Sequence, residues 1–139
     1  SVGVTRTDKM PYVVLNLFGV LKYKRKSETY LERLQKENAD DFDFTIIRPG
    51  RLTDGPYTSY DLNTLLKATS SERRRVEIKP GDDFDPAETS RIAVADCAVF
   101  AASSARAANK AFVIGTKEGD GGPGQEREKW DALFQTSLS

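Results

Sequence analysis

Phe44-Thr45-Ile46-Ile47-Arg48-Pro49-Gly50-Arg51-Leu52-Thr53-Asp54-Gly55-Pro56 is the stretch on which the fold turns. Its first four residues are β-branched or aromatic and are stopped by Pro49-Gly50, the pattern of a short buried strand over Phe44–Ile47. Arg51–Asp61, with Gly55, Pro56 and two tyrosines, reads as the loop that follows. Upstream, Leu17, Phe18, Leu21, Ser27, Tyr30, Leu31 and Leu34 fall at three- and four-residue steps among lysines and glutamates. They predict an amphipathic helix from Leu17 to about Asn38. Ser1–Val4 fits the tail of a strand, and Thr5–Lys9 is polar loop.

Downstream, Leu62–Thr69 is either a helical turn or loop, and Arg74–Lys79 alternates as a strand closed by Pro80-Gly81-Asp82. Asp85-Pro86-Ala87-Glu88 has the form of a helix start, with Ser90 as a second candidate cap. The helix that follows carries Ile92, Ala95, Val99 and Ala102 as its apolar stripe. Lys110–Gly115 is a further strand, and Gln125–Leu138 closes the chain as a helix with Trp130, Leu133 and Phe134 on one side. Helix, strand, strand, helix, strand, helix is the order of a layered α/β sheet.

With 139 residues, 38% of them apolar, the chain can build one domain around one modest core. Lys+Arg and Asp+Glu are both 21, so overall charge gives no pull on a polyanion. The absence of histidine removes the usual general base and the commonest metal ligand, and no metal site is expected. Cys97 stands alone, so it forms neither an internal disulfide nor a thiolate cluster, and a reducing compartment is the easier assumption. Among Ala95, Ala98 and Val99 it reads as an inert core thiol. The apolar run Tyr12–Leu21 is far shorter than the about 20 residues of a membrane span; it is either core or a docking surface. The chain opens on Ser1, and residues are expected upstream of it.

Three pieces resemble the atypical short-chain dehydrogenase/reductase (SDR) family, especially its NmrA-like and plastid members. Lys24-Arg25-Lys26-Ser27-Glu28-Thr29-Tyr30-Leu31 is similar to that family's lysine-x-x-small-glutamate helix. The stretch Phe44–Pro56 is similar to its TIIRPG-x-L-x-D-G-P segment. Ser90-Arg91-Ile92-Ala93-Val94-Ala95-Asp96-Cys97-Ala98 is similar to its ISR-x-DVA segment. They occur in order, and the resemblance covers essentially all of the chain but its tail. It implies the C-terminal half of an NAD(P)-binding, Rossmann-like, three-layer αβα fold over residues 1–118, with the N-terminal βαβ half and its glycine-rich loop outside this sequence. Residues 119–124 would be a glycine-rich connector and 125–139 the closing helix.

The departures from that pattern bear on chemistry. Active members carry a tyrosine four residues before the lysine, where its phenol relays a proton and the lysine grips the ribose. Lys24 matches the lysine by its distance from Glu28, and Val20 stands where the tyrosine is expected. Tyr23 is adjacent to Lys24 and points about 100° away on a helix. No catalytic residue is therefore assigned. The resemblance puts the nicotinamide end of NAD or NADP near Pro49-Gly50, at the carboxyl edge where open α/β sheets bind ligands. Lys24, Arg48, Pro49, Gly50 and Arg51 are thus the candidate cofactor-binding residues, against the alternative that Pro and Gly serve the turn alone. Two functions stay open: an NAD(P)-binding SDR-like protein without the standard dyad, or a non-catalytic subunit of a larger organellar complex. Peripheral attachment to a membrane belongs with the second. Closeness to plastid members implies a chloroplast, with mitochondrion and cytoplasm as alternatives.

Three other signals have weaker context. Gly119-Asp120-Gly121-Gly122-Pro123-Gly124 spells G-x-G-x-x-G, yet only fifteen residues follow, and Pro123 removes a backbone N–H. It reads as a flexible connector. Arg73-Arg74-Arg75, without interleaved aromatics, reads as a solvated strand end in preference to a nucleic-acid patch. Arg91 and Asp96 are either a surface pair or an anchor for the loop after Pro49.

Overall fold

The computed structural model describes residues 2–53 and 74–139. Along the chain run α1 (Tyr12–Leu15), α2 (Val20–Glu37), β1 (Thr45–Pro49), β2 (Leu52–Thr53), β3 (Arg74–Pro80), β4 (Thr89–Ser90), α3 (Arg91–Ala101), β5 (Lys110–Glu118) and α4 (Arg127–Leu138). The main sheet has the order β1-β5-β3, with β1 parallel and β3 antiparallel to β5. β2 and β4 form a small parallel pair. This is the mixed α/β architecture, with a parallel strand pair, that the element order implies.

Asn109 sets the register of the parallel pair. It holds a left-handed backbone (φ 57°), donates its N–H to the Phe44 carbonyl at 2.7 Å, and accepts the Phe44 N–H on its side-chain oxygen at 3.2 Å. Thr45 then lies opposite Lys110, and Ile47 opposite Phe112. The pleat sends Ile47, Phe112, Ile114, Val76 and Ile78 to one face. There α3 and α4 cover them with Cys97, Ala101, Trp130, Phe134 and Leu138. Trp130 and Phe134, 5.7 Å apart at their ring centroids, are wholly buried. Each buried large side chain of this kind contributes about 1.5–3 kcal/mol. Ile46 and Arg48 emerge on the opposite face, where Glu28 of α2 meets Arg48, so helices lie on both sides of the sheet.

Several expectations are corrected. The helix upstream does not run from Leu17: Gly19 takes a left-handed backbone (φ 75°) and caps α2, which begins at Val20. Leu17 and Phe18 are exposed on the turn before it, and α2 buries Leu21 and Glu28 in place of the stripe through Ser27 and Tyr30. Val2–Thr5 form turns, not a strand tail, with Gly3 at φ 81°. Asp85-Pro86 does not start a helix; Ser90 caps α3 by accepting the Ala93 N–H at 3.3 Å. The buried side of α3 is Ala93, Cys97 and Ala101, and Val99 is exposed. Small side chains win that face because they let α3 approach the sheet closely. Strand β5 continues four residues past Gly115's predecessor, to Glu118. Leu52 and Thr53 form β2 where loop was expected, and the rest of that stretch, with Leu62–Thr69, lies outside the described residues.

Candidate functional site

The parallel pair β1–β5 ends at Pro49 and Ile114, and each strand is followed by a glycine, Gly50 and Gly115. Both glycines are explained by Pro86. A Cβ on Gly50 would lie 2.8 Å from the Pro86 ring and 2.8 Å from its carbonyl oxygen, and one on Gly115 would lie 2.4 Å from Pro86 Cβ. The loop between β3 and β4 therefore rests in a notch that only glycine leaves open. Thr89 stitches the notch: its hydroxyl accepts the Gly50 N–H at 3.0 Å and donates to the Ile114 carbonyl at 3.0 Å. Thr89 N–H donates to the Arg51 carbonyl at 2.8 Å, and Thr116 N–H to the Glu88 carbonyl at 2.9 Å.

Arg48 is buried, with a relative exposure of 3%. Its Nε and Nη2 donate to the two carboxylate oxygens of Glu28 at 3.1 and 2.8 Å, and Nη1 donates to the Gly81 carbonyl at 2.7 Å. This bidentate geometry is the strong form of the pair. Arg25 adds a third donor to the same carboxylate at 3.1 Å. Arg48 thus clamps α2 to β1, one turn beyond Lys24, and its guanidinium faces protein groups on all three nitrogens. Lys24 and Arg51 are exposed, and Pro49 accepts the Val2 N–H at 3.2 Å. Of the candidate residues, Arg48, Pro49, Gly50 and Arg51 are brought to the carboxyl end of β1 by the strand itself. Lys24 is tied to them through Glu28 and α2. Val20 opens α2 half exposed, and Tyr23 is exposed with Lys26 Nζ 5.5 Å from its ring centroid.

A second network closes the same edge. The Asp82 carboxylate, 3% exposed as a residue, accepts the N–H of Gly3 at 2.7 Å and both the N–H and hydroxyl of Thr5 at 2.8 Å. Arg6 makes a two-point contact with Asp85 at 3.0 and 2.7 Å, and Tyr12 donates its phenol to Asp85. The hydrogen bonds to Asp85 hold the Arg6 guanidinium above its ordinary pKa, against the opposing effect of partial burial. This network ties the N-terminal segment to the loop after β3.

Sequence reasoning found Lys24, Arg48 and Glu28 as motif letters but missed that two of them form a buried pair. The signal was a glutamate one helical turn past the motif lysine and an arginine inside an apolar strand, neither of which is buried without a partner. The Asp82–Asp85 network was hidden because Pro80-Gly81-Asp82 reads as a turn. In the Gly119–Gly124 run, residues 122–124 are buried, and the Gly124 carbonyl accepts the Trp130 indole N–H at 2.9 Å. Of the arginine run, Arg74 lies opposite Glu118 across the β3–β5 ladder, 4.0 Å away, and Arg73 lies outside the described residues. Arg91 and Asp96 stand on α3, both half-buried. Burial pushes the Cys97 thiol up to about 12, in keeping with an inert thiol.

Two buried polar atoms lack a hydrogen-bond partner among the described residues: Arg6 Nε, in the network with Asp85, and Thr53 Oγ1. The latter atom, two residues past the exposed Arg51, fits a hydroxylated, anionic ligand such as a nicotinamide dinucleotide.

No curated protein matches the chain. A family model described as NAD(P)H-binding matches residues 1–105, which span α1 through α3 and the β1 side of the carboxyl edge, while β5 lies beyond the match. With three quarters of its length inside that match, the chain belongs to the NAD(P)H-binding family.

Proposed function

We propose that the chain contributes the nicotinamide side of an NAD(P) site at the carboxyl end of β1 and lacks the standard tyrosine–lysine proton relay. The observation that carries this reading is the orphaned Thr53 hydroxyl beside Gly50-Arg51, inside the span matched to the NAD(P)H-binding family. In this reading Lys24 and Arg51 hold the ribose and phosphate oxygens, Thr53 donates or accepts one hydrogen bond, and Pro49-Gly50 supplies backbone at close range. Arg48 is a positioning residue that fixes α2, and with it Lys24, against β1. When bound, the cofactor supplies hydride chemistry. Val20 has no proton to give, so any proton for such a transfer comes from solvent or from the partner molecule.

The test is titration calorimetry of the intact protein with NADPH and NADH, beside Lys24→Ala and Arg51→Ala. Micromolar binding, about −8 kcal/mol, that weakens in both variants is the expected result. Absence of binding to either nucleotide by the folded protein would overturn it. That outcome would favour the second reading, a non-catalytic subunit of a larger complex. The observation behind this alternative is Val20, an aliphatic side chain where the resemblance expects the proton-relaying phenol.

A further inference from the structure

Overall neutrality conceals a local imbalance. Between Lys9 and Ser27 there are five cations, Lys9, Lys22, Lys24, Arg25 and Lys26, and no Asp or Glu. The same segment exposes the largest apolar side chains of the described molecule: Phe18 at 87%, Leu17 at 75% and Met10 at 72%, with Val13, Val14 and Val20 also on the outside. Asn16 holds this knuckle in shape, its side-chain oxygen accepting the Lys22 N–H at 3.0 Å and so capping the first turn of α2. The four-residue α1, joined by a tight turn to the long α2, thus pushes an apolar tip outward from a rigid base.

The helix behind the tip continues the theme. Leu21 and Glu28 point inward, which leaves Lys22, Tyr23, Lys26, Tyr30 and Arg33 along the outer side, a ladder of cations and aromatics. A groove of about 420 Å³ runs beside it, bordered by Lys22, Arg25, Lys26 and Arg33 with the hydroxyl residues Thr7 and Thr29. Lys22 in the first turn, with no acid there, opposes the positive end of the helix dipole. That arrangement costs stability in water and is relieved by an anion.

We propose that this face, residues 10–33, docks on an anionic lipid bilayer. The tip inserts Leu17 and Phe18 below the headgroups, Tyr23 and Tyr30 lie at the interface, and the cations meet lipid phosphates, one of which the groove accommodates. A bilayer offers apolar and anionic layers together, which is the order this face presents. A second copy of the chain fits less well, because a twofold contact would set one mainly cationic face against another, its acids Glu28 and Glu32 being taken by Arg25. The attachment is to the surface: among the described residues no helix is long and apolar enough to cross a membrane. The proposal does not rest on the cofactor reading, and neither Lys24 nor Arg51 enters its test.

The experiment is co-sedimentation of the intact protein with vesicles of phosphatidylcholine alone or with about 30% phosphatidylglycerol, at about 0.1 M and about 1 M salt. Binding is expected only to the anionic vesicles and is expected to weaken at high salt. Lys22→Glu with Lys26→Glu should lower the partition coefficient at least twentyfold, by roughly one ionic contact's worth per cation. Leu17→Asp with Phe18→Asp should abolish binding, and circular dichroism should show the fold unchanged because both side chains are exposed. A Phe18→Trp variant should blue-shift its emission on anionic vesicles and be quenched by brominated acyl chains. No binding to anionic vesicles, or binding indifferent to both double variants, overturns the proposal. So does a dimer by light scattering that Leu17→Asp with Phe18→Asp dissociates while vesicles are ignored, which would assign the face to a second copy.

Discussion

Removing the Glu28 carboxylate is the perturbation with the clearest consequence. Arg48 is 3% exposed, and two of its three hydrogen-bonded nitrogens go to Glu28, leaving only the Gly81 carbonyl once that side chain is cut. A buried cation stripped of its counter-ion costs about 3–5 kcal/mol. A domain of this size is stable by about 5–15 kcal/mol, so Glu28→Leu removes about a fifth or more of the total. Arg48→Met leaves the carboxylate with Arg25 at its rim, and that residual partner reduces the loss to about 2–4 kcal/mol. The double variant removes both charges and keeps the volume, so its loss should be well below the sum of the singles. Urea unfolding followed by far-UV circular dichroism gives all three values, with hydrogen exchange reporting whether α2 amides open before those of β5. If either single change costs under about 1 kcal/mol, or if the two losses simply add, the pair does not clamp α2 to β1.

Three further outcomes follow from the same framework. Asp82→Ala strands the N–H groups of Gly3 and Thr5 and should lower stability by about 2–4 kcal/mol, with early tryptic cleavage at Arg6 and Lys9. Gly50→Ala drives a Cβ onto the Pro86 carbonyl and ring and should cost about 1–3 kcal/mol by thermal melting; an unchanged melting temperature would mean the notch is not filled. Cys97 is raised by burial and by Asp96 to about 12, above its unfolded value of 9.0. Its contribution to stability is whole below pH 9.0 and is lost as pH rises toward 12, since only the unfolded chain releases the proton there. Wild type should therefore lose stability over that window faster than Cys97→Ala, and native thiol should resist alkylation until the protein unfolds.

The sheet was legible because its strands announce themselves by side-chain type. Thr45-Ile46-Ile47 and Phe112-Val113-Ile114 are β-branched or aromatic runs with hard stops, and both became neighbouring parallel strands. The closing helix was legible through Trp130 and Phe134, four residues apart. What failed were the boundaries that depend on a single backbone angle or on distant partners. Gly19 in a left-handed conformation cuts an otherwise continuous helical pattern. The pattern Asp85-Pro86-Ala87-Glu88 satisfies every local rule for a helix start, but Asp85 is taken by Arg6 and Tyr12, and Pro86 by the two-glycine notch. Those partners are about eighty and thirty residues away in sequence, where no local propensity can see them. Of the candidate residues, their gathering at the end of β1 was legible, but the burial of Arg48 against Glu28 was not, because a motif letter does not say whether it faces solvent or the protein.

That distinction bears on how the chain's chemistry should be read. Glu28 and Arg48 bond each other; Gly50 bonds Thr89 and underlies Pro86; Ser90 caps the helix that carries Cys97 into the core. The residues that most strongly resemble the family are thus the joints between α2, β1, β5 and α3. They preserve the frame irrespective of what the frame holds. Val20, by contrast, opens α2 half exposed and belongs to neither buried cluster among the described residues, so a substitution there should disturb none of these joints. Family membership is shown over the span that holds most of these joints, whereas the nucleotide-binding role proposed above rests on Lys24, Arg51 and Thr53, none of which is one of them.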